Sequence, residues 1–133
     1  MKSGFKLEIV TPDKNFFDEE VEMAIVRTSE GDIGIMKDHE PLVAPLAIGG
    51  IRVRQAGEFR DAACSSGFIT IDEDKVMIIT DSAEWAHEID LDRAKEAADR
   101  ANRRLENRQD ELDVLRAKIS LKKAMNRINI HTK

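Results

Sequence analysis

The sequence predicts an α+β protein: an N-terminal antiparallel β-sandwich followed by a C-terminal two-helix hairpin. Three observations predict it. All seven glycines lie at or before Gly67 and all three prolines at or before Pro45, so the last 66 residues contain neither. Turn-rich chain thus gives way to uninterrupted helix. Apolar residues recur with a period of two in the first part and at helical spacing in the second. Residues 1–87 are accordingly assigned to the sandwich and 88–133 to the hairpin.

The strands follow in order. Phe5, Leu7 and Ile9 alternate with polar residues, as do Val21, Met23 and Ile25, and then Ile51 and Val53. The segments GFITI and KVMIIT are rich in β-branched side chains. Between them stand the turn signals TPDKN, SEGD, KDHEP, QAGE, SSG and DED. No long helical pattern separates the strands, which argues against a parallel α/β fold. Two facing sheets give so short a segment a core.

From Ile89 the period changes. Ala94, Ala97, Ala98, Ala101 and Leu105 form one narrow stripe. After the polar ENRQDE, Val114, Ala117, Leu121, Ala124, Met125 and Ile128 form another. Two helices of about four turns each, folded as a hairpin, account for both. A seam of alanines lets helices approach closely but buries little apolar area, at about 25 cal/mol per Å2. The hairpin is therefore expected to be marginal alone and to separate at low cost.

The chain has 133 residues, 41% hydrophobic and 35% charged, a globular rather than a disordered composition. No run approaches the ~18 apolar residues of a membrane span. The N-terminal MKSGFKLEIVTPDK lacks the apolar core of a secretory signal. Cys64 is the single cysteine, so no internal disulfide forms, and it is expected to be a buried small apolar residue in a reducing compartment. The net charge of -5 argues against nucleic acid as a partner. That charge is uneven: residues 1–87 carry 9 basic and 17 acidic side chains, and residues 88–133 carry 12 and 9. The basic last third is read either as a solvated helix surface or as a segment that meets an acidic partner or anion.

Catalytic signals are lacking. His39, His87, His131 and Cys64 have no metal-ligand spacing. No phosphate-binding GxxxxGK[ST] loop is present, and GDIG at Gly31–Gly34 reads as turn glycines. No nucleophile–base set has local support, so no enzyme activity and no metal are expected of the chain itself.

One local rule is broken. Asp90 is the natural N-cap of the first helix, which puts Arg93 at the position where a capping box carries Glu or Gln. The helix dipole disfavours a cation there by roughly 0.3–1 kcal/mol. An ion pair with Glu96, Asp99 or a residue of the β domain would offset this; so would an anion held jointly by the helix terminus and the arginine. With the hairpin turn centred near Arg108, Asp90 lies opposite Arg127, and Arg93 opposite Lys123 or Ala124. Arg93, Lys123 and Arg127 then converge at one end, with Arg100 further along. A polyphosphate would relieve their mutual repulsion.

Ile89-Asp90-Leu91-Asp92-Arg93-Ala94 resembles the I/L-D-x-x-R-A motif of nucleotide-binding epsilon subunits of bacterial F-type ATP synthases. The similarity runs the whole chain: the segment from Gly31 to Leu42 resembles that family's G-x-x-G-I-x-x-x-H-x-P-L, SSGFITI its S-G-G-F-x-E-V strand, and LKKAMNRI the end of its second helix. The resemblance implies a non-catalytic central-stalk (rotor) subunit on the cytoplasmic face of the bacterial membrane, peripheral to it. Its partners would be the gamma subunit, the c-ring and the alpha and beta catalytic subunits. The C-terminal helices would fold down as a hairpin or extend along gamma and inhibit ATP hydrolysis. ATP, with or without magnesium, would favour the folded form through Glu84, Ile89, Asp90, Arg93, Ala94, Arg100, Lys123 and Arg127. Glu30, Asp32 and His39 would meet the c-ring, although a turn-stabilising hydrogen bond accounts equally for His39. Three positions depart from the pattern: Lys123 stands where ATP-binding members carry arginine, Ser66 where the strand motif has glycine, and Thr70 where it has glutamate. Two other readings stand beside this one: a rotor scaffold without functional ATP sensing, and, disfavoured for want of a metal-binding carboxylate pair, an independent nucleotide hydrolase. Trp85, at the domain junction, is expected to pack under the hairpin.

Overall fold

A computed structural model describes residues 4–73, 75–107 and 110–132. Nine strands come first: β1 Phe5–Val10, β2 Asn15–Val21, β3 Met23–Thr28, β4 Gly31–Ile35, β5 Leu42–Gln55, β6 Glu58–Cys64, β7 Gly67–Ile71, β8 Lys75–Thr80 and β9 Ala83–Trp85. A single 3₁₀ turn, Ala86–Glu88, leads into α1 Leu91–Glu106 and α2 Glu111–His131. The chain divides into two compact units after Trp85, so Ala86 and His87 belong to the helical unit.

The long β5 explains how one hydrogen-bonded sheet makes two layers. Its first stretch, Leu42 to Leu46, pairs with β7, and its second, Gly49 to Gln55, pairs with β6. Opposite β3 the register jumps between Val26 and Thr28, which marks the bend. One layer runs β2-β1-β8-β7-β5; the other joins β5 to β3 and β4 on one side and to β6 and β9 on the other. Leu7, Ile9, Val26, Ile35, Val53, Ile69 and Ile78 are fully buried between them.

Two details depart from the sequence reading. The sandwich is not wholly antiparallel, because β1 and β8 pair in parallel, Leu7 opposite Val76 and Ile9 opposite Ile78. The Val21, Met23, Ile25 stripe also breaks. Val21 is buried, but a bend at Glu22 separates β2 from β3 and resets the alternation. Ala24 and Val26 then point inward, leaving Met23 and Ile25 half-buried on the outer face.

The turns show why their residues are used. Ala56 and Gly57 both have positive φ, 51° and 78°, as a two-residue primed hairpin turn between β5 and β6 requires. Thr11 closes the first turn through its hydroxyl and its amide, both bonded to the Lys14 carbonyl. Between β6 and β7, Thr80 Oγ1 donates to the Ser65 carbonyl at 3.0 Å, and Ser82 donates to Ser65 Oγ from its amide at 3.0 Å and its hydroxyl at 3.1 Å. This hydroxyl cluster satisfies buried Ser65 and Thr80. The non-glycine positions of positive φ among the described residues are Asp38 and Ala56, so Ser66 needs no glycine conformation. Trp85 stacks on Phe16 at 4.7 Å, meets the edge of Phe17 at 5.7 Å and carries the Arg60 guanidinium 3.9 Å from its ring centre. These partners belong to the sandwich.

Candidate functional site

The first helix has the cap that the sequence places there. The Asp90 carboxylate accepts from the Arg93 amide at 3.1 Å, which satisfies one of the free N–H groups that begin α1. Asp110 caps α2 in the same way, accepting from the Asp113 amide at 2.8 Å. The helices pack on one another. Their buried side chains are Ala94, Ala98 and Ala101 on α1 and Ala117, Ala124 and Ile130 on α2. Met125, assigned to the seam from its spacing, is instead 43% exposed: in a helix of 21 residues the stripe drifts, and Ile130 takes the apolar end. The turn centre expected at Arg108 lies outside the described residues.

A hydrogen bond joins the two ends of the helical unit. His131 Nδ1 donates to the Ala86 carbonyl at 3.1 Å. Ala86 stands in the 3₁₀ turn and α1 begins only at Leu91, so the bond ties the last turn of α2 to the lead-in of α1 rather than setting levels residue by residue along the two helices. Ala94 and Ala124 are buried, and their neighbours Arg93 and Lys123 are exposed. Arg100 follows two turns beyond Arg93, about 10 Å along the axis. Among the described residues, Arg93, Arg100 and Lys123 have no side-chain hydrogen bond or ion pair, so Arg93 is not held by Glu96 or Asp99. The helix dipole disfavours a cation in this first turn.

The other sequence-derived residues fall as follows. Ile89 is 4% exposed and Ala94 wholly buried, so in this conformation both shape the backbone and seam rather than offer side chains to a ligand. Glu84 lies in β9 of the sandwich, paired with Ala63. Glu30 stands at the tip of the β3–β4 hairpin, where its amide donates to Thr28 Oγ1 at 3.2 Å. Asp32 is already engaged by Arg27, whose Nε is 2.6 Å from its carboxylate. His39 is separated from this tip by the length of β4. Its Nδ1 donates to the Glu40 carbonyl at 2.8 Å and its amide to the Met36 carbonyl, beside Asp38 at φ 66°. The three therefore do not form one bonded group.

Sequence reasoning missed a cleft of about 490 Å3 toward the hairpin tip, lined by Arg103, Arg104, Asn107, Asp113 and Arg116. Its signal is the arginine pair directly before the polar turn. Among the described residues, no group of three or more His, Cys, Asp or Glu side chains is placed to hold a metal ion. Among the described residues, no helix is long and apolar enough to cross a membrane.

Comparison with known proteins gives the family. Residues 4–86 match the model of the ATP synthase delta/epsilon chain β-sandwich domain, and residues 87–131 that of its long α-helix domain. The chain belongs to the epsilon chain family of F-type ATP synthases. An ATP synthase epsilon chain of Alkaliphilus metalliredigens is 52% identical over 98% of this chain and 97% of its own length. One from Alkaliphilus oremlandii is 54% identical over 84% of this chain and 83% of its own. Among solved structures, a chain of the Euglena gracilis mitochondrial ATP synthase OSCP/F1/c-ring assembly superposes with a TM-score of 0.83 at 26% identity, covering 95% of this chain and 80% of that one. A chain of the Tetrahymena thermophila central stalk/c-ring structure, 17% identical with a TM-score of 0.59, shares the fold.

Proposed function

We propose that the chain is a rotor subunit that joins the c-ring to gamma and whose hairpin, held closed by ATP, restrains its own inhibition of ATP hydrolysis. The observation that carries the ATP reading is the set of exposed cations Arg93, Arg100 and Lys123, without side-chain partners among the described residues, along a hairpin whose first helix begins at Asp90. ATP that binds the closed hairpin and not the extended helices shifts the population toward the closed form by that difference in affinity. The F1/c-ring origin of the Euglena relative supports a place in the central stalk. Exposed Glu30 at a hairpin tip suits contact with polar c-ring loops better than Asp32, whose carboxylate is engaged.

Inhibition has its own surface. Leu112, Leu115 and Ile119 form an exposed apolar stripe on α2, 53%, 54% and 42% accessible, with Arg116, Lys118, Lys122 and Lys123 on the same helix. Extended helices would lay this stripe on apolar and acidic surface of gamma and the catalytic subunits. The same stripe favours the second reading, a scaffold whose hairpin meets proteins and ignores ATP. Calorimetric titration of the full chain with ATP, with and without magnesium, separates the two. Binding that Arg93→Ala removes supports ATP sensing; absence of binding leaves the scaffold. Inhibition is tested by removing residues 88–133 in the assembled complex, where ATP hydrolysis is expected to rise.

A further inference from the structure

The helical unit buries its larger side chains at one end. Of the residues it buries among those described, only Ile89 and Ile130 exceed alanine in size, at 4% and 6% exposure. Both neighbour the hydrogen bond from His131 Nδ1 to the Ala86 carbonyl. The last turn that carries His131 is itself pinned: Thr132 donates to the Ile128 carbonyl from its amide at 3.0 Å and from its hydroxyl at 2.8 Å. On the other side, the Ala86 carbonyl also accepts from the Ile89 amide at 3.4 Å, which holds the 3₁₀ turn in place as acceptor.

We propose that His131, Ile130, Ala86 and Ile89 form a clasp that decides when the hairpin opens. The helices are joined covalently at the tip, so separation starts at the opposite end, where the clasp lies. Along the rest of the seam Ala94, Ala98, Ala101, Ala117 and Ala124 contribute little area each, and resist opening weakly once it has begun. The clasp deepens the proposed hairpin switch and rests on that reading for its biological use, but its physical existence does not depend on ATP.

Amide hydrogen exchange of the full chain without nucleotide tests it, in H131A and H131N. Separated helices lose protection because each alone is marginal. In H131A the amides of Ala98, Ala101, Ala117 and Ala124 are expected to exchange together about fivefold faster, the worth of one net hydrogen bond. H131N, whose side-chain amide donates from nearly the same position as Nδ1, is expected to stay within about twofold of the parent. Acceleration confined to residues 128–132 is local fraying and overturns the clasp, as does no acceleration. The effect of ATP is read separately. If the seam amides accelerate in H131A but saturating ATP adds no protection to them in the parent, the clasp stands and the ATP-sensing reading is the one that fails.

Discussion

Gly67 backs directly onto the carbonyl of Ile79: a Cβ on Gly67 would stand 1.9 Å from that oxygen and 2.8 Å from the Thr80 Cα. Every obstructing atom is backbone of β8, the strand paired to β7, so none can swing aside. Gly67→Ala must push two core strands apart, and a loss above about 3 kcal/mol is expected. Ser66→Gly, one residue away, is expected to change stability by under about 1 kcal/mol, since Ser66 has no left-handed backbone. Urea denaturation of both variants checks the contrast.

Ala56 pays for its place in the β5–β6 turn. At φ 51° an alanine methyl crowds the backbone, and Asn-Gly is the pair such turns prefer. Ala56→Asn is expected to stabilise the chain by about 0.5–1 kcal/mol, seen as a raised denaturation midpoint with an unchanged slope.

Asp90 acts first as a cap. Replacing it with alanine leaves the Arg93 amide without its acceptor and is expected to cost about 1 kcal/mol. Asn, which caps equally well, should restore nearly all of it. Helical circular dichroism during denaturation reads this without reference to any ligand. An Asp90→Asn variant as unstable as Asp90→Ala would show that charge, not the cap bond, matters there.

The two-part plan was legible in the sequence because proline ends at Pro45 and glycine at Gly67, and the periodicity changes from Ile89. Inward positions such as Leu7, Ile9, Ile51 and Val53 followed from alternation alone. What alternation could not show was the bend at Glu22, which resets the parity of β3, or the parallel pairing of β1 with β8, which joins segments far apart in the chain. That two helices pack on one another was legible, because two apolar stripes flank one polar stretch. The clasp was not, because it depends on where α2 ends and on a histidine that no periodicity singles out. The caps show the same asymmetry: Asp90 announced itself before an apolar stripe, whereas Asp110 was hidden in a polar run.

Cys64 ties stability to pH. Burial pushes its thiol from 9.0 to about 12. The unfolded chain therefore releases this proton first as pH rises. The thiol's contribution is complete below about pH 9 and is lost as pH climbs toward 12, with a slope of about 1.4 kcal/mol per pH unit. Denaturation under reductant across this window should show Cys64→Ala falling less steeply than the parent by that slope. Parallel curves would mean that the thiol is not buried. Near neutral pH the folded thiol should react slowly with alkylating reagents and the unfolded one quickly.

Lys123 is the position where chemistry predicts a gain. Its ammonium is a point charge, whereas a guanidinium presents a planar fork to two phosphate oxygens at once. The hairpin numbering expected from the sequence sets it opposite Arg93. Lys123→Arg is therefore expected to tighten ATP binding about fivefold, the effect of ~1 kcal/mol from one added charge-assisted hydrogen bond. Stability should hardly move, because Lys123 is exposed and has no side-chain partner among the described residues. Arg93→Ala provides the opposite arm, and calorimetry on the full chain reads both. A loss in Arg93→Ala with no gain in Lys123→Arg would put the phosphates on the α1 side alone. ATP binding unaffected by either substitution would remove the cationic cluster from the site altogether.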